Sequence, residues 1–140
     1  INVVPAKATL TLDIRNTDNN KLMRAESEVA QFLKDIAERE GVSITSKSLA
    51  RFDPVQFDER VISIVHETAK ELGNTVQRMP SGAGHDAQML ARVCPSGMIF
   101  VPSVKGISHN PAEHTDAEDL QAGADILLHT MVSLANATFS

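Results

Sequence analysis

Tryptophan and tyrosine are absent from this 140-residue chain, and five phenylalanines are its whole aromatic content. Single-stranded nucleic acid is bound by stacking on exposed rings, and phosphates by a basic face. The net charge is −5 and the thirteen Lys and Arg are scattered, so no nucleic-acid partner is expected. Cysteine is reduced to Cys94, which rules out an intrachain disulfide and points to a reducing cytoplasm. Flanked by Val93 and Pro95 at the end of an apolar helical pattern, Cys94 is expected to be a buried, inert thiol. No apolar run approaches the ~18–20 residues that span a bilayer, so no membrane partner is expected. Internal repeats and low-complexity tracts are missing. So are a starting Met, a charged leader and a signal peptide. The chain opens abruptly in strand-like sequence, Ile1-Asn2-Val3-Val4-Pro5, and is expected to be a piece of a longer protein.

Several catalytic patterns are also missing. No His-Glu-x-x-His and no paired cysteines occur, so any metal site is only partly encoded. No Gly-x-Ser-x-Gly supports a serine elbow, and no Gly-Lys-Ser/Thr supports a phosphate loop.

What is present has the composition of a soluble globular protein, 42% hydrophobic and 22% charged. The length allows one ordinary domain or pieces of two. Residues 6–15 alternate: Ala8, Leu10, Leu12 and Ile14 against Lys7, Thr9, Thr11 and Asp13, the pattern of a half-buried strand. Asn16 to Asn19 reads as a turn with Asp18 as N-cap. Leu22, Val29, Phe32, Leu33 and Ile36 set a helical stripe ending at Gly41, and residues 42–50 read as a second strand. Residues 52–58 look like a crossing between two bodies. Beyond it come a helix from Glu59 to Leu72, capped by Asp58 and stopped by Gly73, a strand at 75–79, a helix at 85–93, a strand at 97–101 and a helix from Asp116 to about Asn136. The last helix is expected to bury Leu120, Ala124, Leu127, Leu128, Met131 and Leu134, and its Asp/Glu run at 116–119 is a capping cluster. Alternation of this kind implies a mostly parallel sheet with helices on its faces, an α/β fold. Neither half can cover its own sheet, so exposed apolar surface is expected.

Two loops concentrate the chemistry. Gly106-Ile107-Ser108-His109-Asn110-Pro111-Ala112-Glu113 follows the strand at 97–101, at the sheet edge where open α/β folds bind ligands. His109 there can ligate a metal or exchange a proton, or be a plain surface histidine. Ser81-Gly82-Ala83-Gly84-His85-Asp86 opens a helix, where backbone N–H groups can hold an anion, or where Asp86 simply caps a tight turn. His66 and His129 read as structural or surface residues, and His114 as rim. Met79, Met89, Met98 and Met131 read as core filler. Arg15 can grip a carboxylate with its fork, or form a surface ion pair.

Asn2-Val3-Val4-Pro5, Leu12-Asp13-Ile14-Arg15, Ser81-Gly82-Ala83-Gly84-His85-Asp86-Ala87 and the 106–113 string occur here in that order. In this the chain resembles the allantoate amidohydrolases, N-carbamoyl-L-amino-acid hydrolases and β-ureidopropionases of the two-metal exopeptidase superfamily. The resemblance implies an α/β catalytic domain and an inserted α+β, ferredoxin-like lid that also dimerises. It makes 1–52 the second half of the lid and 53–140 the C-terminal segment of the catalytic domain. It implies hydrolysis of a ureido or carbamoyl C–N bond with two Zn²⁺ or Mn²⁺ ions, in a cytoplasmic homodimer. By the same resemblance Asn2, Arg15 and His109 meet the small acid substrate, Arg15 through its carboxylate and often in the partner's site. His109 also matches the last metal-ligating histidine, with His85, Asp86 and Ser108 as supporting neighbours. The remaining ligands and the general-base Glu are expected outside this chain, so the 140 residues alone are expected to be inactive and to bind no metal. A straight strand from Asn2 to Arg15 would span ~43 Å. For both to serve one ligand, either the chain turns, with Pro5-Ala6 the candidate place, or other elements bring the two ends near. A related aminoacylase or dipeptidase is the alternative enzyme, and a non-catalytic dimerisation or binding module the alternative of another class.

Overall fold

A computed structural model describes residues 3–137. Its elements are α1 (Asn19–Glu40), α2 (Glu59–Glu71), α3 (Ala87–Leu90), a 3-10 turn (Val104–Gly106) and α4 (Ala117–Asn136). The chain divides into two compact units between Pro54 and Val55.

The first unit is organised by α1. Asp18 takes an extended backbone and its carboxylate accepts the N–H groups of Asn20 at 2.9 Å and Lys21 at 3.3 Å. Those donors have no partner inside a helix, so the cap fixes where α1 begins. Leu22 is buried and Ala25, Val29, Leu33 and Ile36 are half-buried, one stripe at helical spacing. Phe32 lies at the margin of that stripe and is exposed, against expectation. Gly41 ends α1 at φ 64, a left-handed conformation that suits a residue without Cβ. Behind the helix, Arg51 reaches Glu26 at 2.9 Å and Asn19 at 3.0 Å. A bend falls at Ala6, where a turn is expected.

The second unit rests on α2 packed against α4. Asp58 accepts from the N–H groups of Arg60 and Val61, and its own N–H donates to Ser96 O at 3.0 Å. This ties the start of α2 to the segment 97–101. Val61, Thr68 and Ala69 are buried on α2, and Ile126 and Thr130 on α4. A Cβ at Gly97 would lie 2.9 Å from Val61 Cγ1, and one at Gly123 would collide with Val101 Cγ1. Segment 97–101 therefore lies against both helices, and glycine at each crossing permits the approach. Arg78 bonds Glu59, and Ser63 at 3.0 Å, holding the 74–86 segment to α2.

The expected α/β sheet is not formed by the described residues. The segments 6–15, 42–50, 75–79 and 97–101 carry no strand ladder. Alternation fixes which face of a strand is apolar, but a ladder also needs the N–H and C=O groups of a neighbour. None of these segments provides that neighbour for another. The ferredoxin-like half-lid and the mostly parallel sheet are thus not seen in this chain taken alone. Apolar exposure follows: Leu10 is 91% and Leu49 78% accessible.

Other expectations fail in the same way. On α4 the face against α2 is Ile126 and Thr130, while Leu120, Leu127, Leu128 and Met131 are exposed. The larger apolar stripe points away from the only helix that packs on α4 among the described residues. Met79 and Met89 are exposed too, as is Cys94, whose thiol lies 3.4 Å from Leu90 O. The helix expected at 85–93 is a single turn, α3, followed by irregular turns. His66 is partly buried, and its Nδ1 has no hydrogen-bond partner among the described residues.

Candidate functional site

The 104–114 loop follows segment 97–101 directly. Its base is closed by Val104 N–H donating to His114 O at 2.8 Å. Gly106 N–H donates to Ser103 O at 3.0 Å, with Lys105 at φ 59 and Gly106 at φ 66. Asn110 to Glu113 then forms a turn: Glu113 N–H donates to Asn110 O at 2.9 Å, and Asn110 Oδ1 accepts from Ala112 N–H at 2.9 Å. Asn at the first turn position and Pro at the second are the residues such a turn favours. The turn returns Glu113 to His109, whose N–H donates to Glu113 Oε2 at 2.8 Å. His109 sits at φ 55. Its imidazole is exposed and has no hydrogen-bond or ion-pair partner among the described residues. Ser108, beside it, is exposed. His114 Nε2 lies 3.5 Å from Asp116 Oδ1, at the rim.

The 81–86 loop is arranged differently from expectation. Asp86 is in helical conformation and makes no side-chain cap. Instead His85 Nδ1 accepts the N–H of Ala87 at 3.0 Å. With Nδ1 as acceptor, Nε2 is the ring's donor, turned outward from the cap. The turn before it is fixed by Ser81 Oγ, which accepts Ala83 N–H at 3.1 Å.

In the first unit, Arg15 donates to both oxygens of Asp13, from Nε at 3.0 Å and Nη2 at 2.6 Å. This hydrogen-bonded pairing lowers the Asp13 carboxyl below its usual range and raises the Arg15 guanidinium. Both side chains are well exposed. The guanidinium fork is thus the carboxylate-gripping kind, and in this structure the carboxylate is Asp13's. Asn2 lies outside the described residues.

Among the described residues His109 and His129 both carry an exposed imidazole without a partner, and only His109 stands in one of the two loops. An exposed imidazole without a partner is a competent ligand, and His109 offers it. No three His, Cys, Asp or Glu gather into an ion-holding group among the described residues. Any further ligands would have to come from elsewhere. Glu113 is the functional candidate that periodicity and spacing do not reveal. The signal pointing to it is the Asn110-Pro111 turn, which brings residue 113 back onto residue 109. No helix among the described residues is long and apolar enough to cross a membrane.

Comparison with known proteins adds to this geometry. The model of the peptidase family M20/M25/M40 matches residues 5–133. An N-carbamoyl-L-amino-acid amidohydrolase of Rhizobium meliloti is 40% identical over 134 residues, 96% of this chain and 32% of its own length. An allantoate amidohydrolase of Bacillus subtilis is 37% identical over 134 residues, with the same two shares, 96% and 32%. Among solved structures, an amidase of the hydantoinase/carbamoylase family from Burkholderia multivorans superposes with a TM-score of 0.80 at 37% identity, covering 87% of this chain and 30% of that one. The chain spans about a third of the length of the curated relatives it matches.

Proposed function

The chain belongs to peptidase family M20/M25/M40, and from that membership we propose that it is the C-terminal part of an amidohydrolase cleaving a linear C–N bond of a ureido or carbamoyl acid. The observation that carries this reading is the likeness to amidohydrolases named for allantoate and N-carbamoyl-L-amino acids, over 96% of the chain. In this reading residues 1–52 are the second half of a lid through which two copies dimerise. Residues 53–140 are the closing segment of an α/β catalytic domain, whose sheet is completed by strands from outside the chain. The single Cys94 supports a cytoplasmic setting.

Ureido carbonyls are poor electrophiles. A bound pair of divalent ions, zinc or manganese, supplies Lewis-acid polarisation of that carbonyl and activation of water. His109 would hold one ion through its exposed imidazole. Ser108, and His85 with Asp86 from the other loop, would support that edge of the site. Arg15 would select acids by taking the substrate carboxylate in its fork, replacing Asp13. Asn2 would hold the substrate beside it. The general base and the other ligands belong to the part outside this chain, so the 140 residues alone would be inactive.

The test is ammonia release from allantoate and from N-carbamoyl-L-amino acids by the full-length hydrolase. Activity is expected to vanish on chelation and to return with zinc or manganese. Arg15→Ala is expected to raise KM for acid substrates by about tenfold or more, since a hydrogen bond to a charged group contributes about 1.5–3 kcal/mol. Activity insensitive to chelation, or an unchanged KM in Arg15→Ala, refutes the assignment concerned.

The reading of another class is a non-catalytic dimerisation or binding module. A metal-free, inactive full-length protein that still dimerises would favour it. A full-length protein that hydrolyses dipeptides or N-acyl amino acids and not ureido acids would move the assignment to the aminoacylases and dipeptidases.

A further inference from the structure

We propose that Glu113 is a positioning residue for His109, fixing the backbone from which the imidazole projects. The proposal rests on the reading of His109 as a metal ligand.

Left-handed backbone is disfavoured for any residue with a Cβ, because the Cβ crowds the following carbonyl. Among the described residues only Lys105 and His109 adopt it without being glycine. Strain of this kind persists where neighbouring structure over-determines it. At His109 that structure is visible. The N–H of His109 is taken by the Glu113 carboxylate at 2.8 Å, a charge-assisted bond. Glu113 is itself anchored, since its N–H closes the turn onto Asn110 O at 2.9 Å. Asn110 Oδ1 stiffens the same turn through Ala112 N–H at 2.9 Å. One residue beyond Glu113, His114 O closes the base of the loop on Val104 N–H. Four residues of chain, 110–113, thus form a brace whose free end is a carboxylate and whose load is the amide of His109.

The brace leaves the imidazole itself untouched. That separates Glu113 from a residue that orients a ligand histidine through its second ring nitrogen. Here the angle of the ring is set from the backbone side. A ligand held at its productive angle before the ion arrives loses less freedom on binding, so the brace acts on metal affinity. Gln at 113 keeps an acceptor oxygen on an arm of equal length. Asp keeps the charge and shortens the arm. Ala removes both.

The experiment is a metal-affinity series on the full-length hydrolase, with cobalt(II) as the probe. Its visible absorption reports ligand geometry, and competition with a chelator gives the dissociation constant. His109→Ala is expected to lose one ion per chain. Glu113→Ala and Glu113→Asp are expected to keep both ions but weaken one by about 10–100-fold, with an altered cobalt spectrum. Glu113→Gln is expected to restore affinity and spectrum to near wild type. If His109→Ala loses no ion, the ligand reading fails and the proposal falls with it. If His109→Ala loses an ion while Glu113→Asp binds both as wild type, the ligand reading stands and the brace is refuted. If Glu113→Gln loses the ion outright as His109→Ala does, Glu113 is a ligand and the brace is again refuted. Should Glu113→Ala fail to fold, the Asp and Gln variants still decide.

Discussion

Replacing Gly123 by Ala tests how the base of the His109 loop is pinned. A Cβ at position 123 would collide with Val101 Cγ1, and Val101 is half-buried next to Pro102, where the loop begins. Two effects oppose each other. Ala in a helix interior is favoured over Gly by about 1 kcal/mol. Overpacking a closed contact costs about 1–3 kcal/mol. The collision is with a methyl of a β-branched side chain whose rotamers are restricted, so relief requires an unfavourable rotamer of Val101 or a shift of segment 97–101. That segment is held on its other side by Gly97 against Val61 and by the Asp58 N–H bond to Ser96 O. The expected net effect of Gly123→Ala is a loss of about 1–2 kcal/mol, overpacking exceeding propensity. Val101→Ala removes the colliding carbons. In that background Gly123→Ala should become neutral or stabilising, giving a coupling energy of at least ~1 kcal/mol in a double-mutant cycle. Urea unfolding followed by far-UV circular dichroism reads all four proteins. A Gly123→Ala protein stabilised by about 1 kcal/mol, with coupling near zero, would show that segment 97–101 does not lie against α4.

Two further outcomes follow from the capping geometry. His85→Ala is expected to fray α3 while Asp86→Ala leaves it intact, because Ala87 N–H bonds to His85 Nδ1 and Asp86 makes no cap. Faster amide exchange at Ala87 in the Asp86 variant, rather than the His85 one, would reverse that assignment. Asp58 is held down to about 2 from 3.8, first by the Arg60 side chain and then by the N–H groups of Arg60 and Val61. Its folded value lies below its unfolded one, so its contribution is fully present above about pH 4 and is lost as pH falls toward 2. An acid titration of stability should show Asp58→Asn flattening that window, and an unchanged pH slope would count against the cap.

Sequence alone determined the punctuation of this protein and the identity of its family strings. Asp18, Asp58, Gly41 and Gly73 bound their helices as expected, because caps and left-handed ends are local matters of a few bonds. The Ser81–Ala87 and Gly106–Glu113 strings are equally local, and the family match over residues 5–133 agrees with them. Orientation was left to the tertiary structure. Periodicity gives α4 an apolar stripe through Leu120, Leu127 and Met131, yet the face that meets α2 carries Ile126 and Thr130. A hydrophobic pattern says that a surface wants cover, and only packing says which surface receives it. The alternating segments are the same case, for a strand pattern without a neighbouring backbone is not yet a sheet. His85 against Asp86 at the start of α3, and Glu113 against His109, were decided by turns that bring together residues two and four apart. Asn110-Pro111 signals that a turn occurs, but which groups pair across a turn is settled only once the backbone has turned.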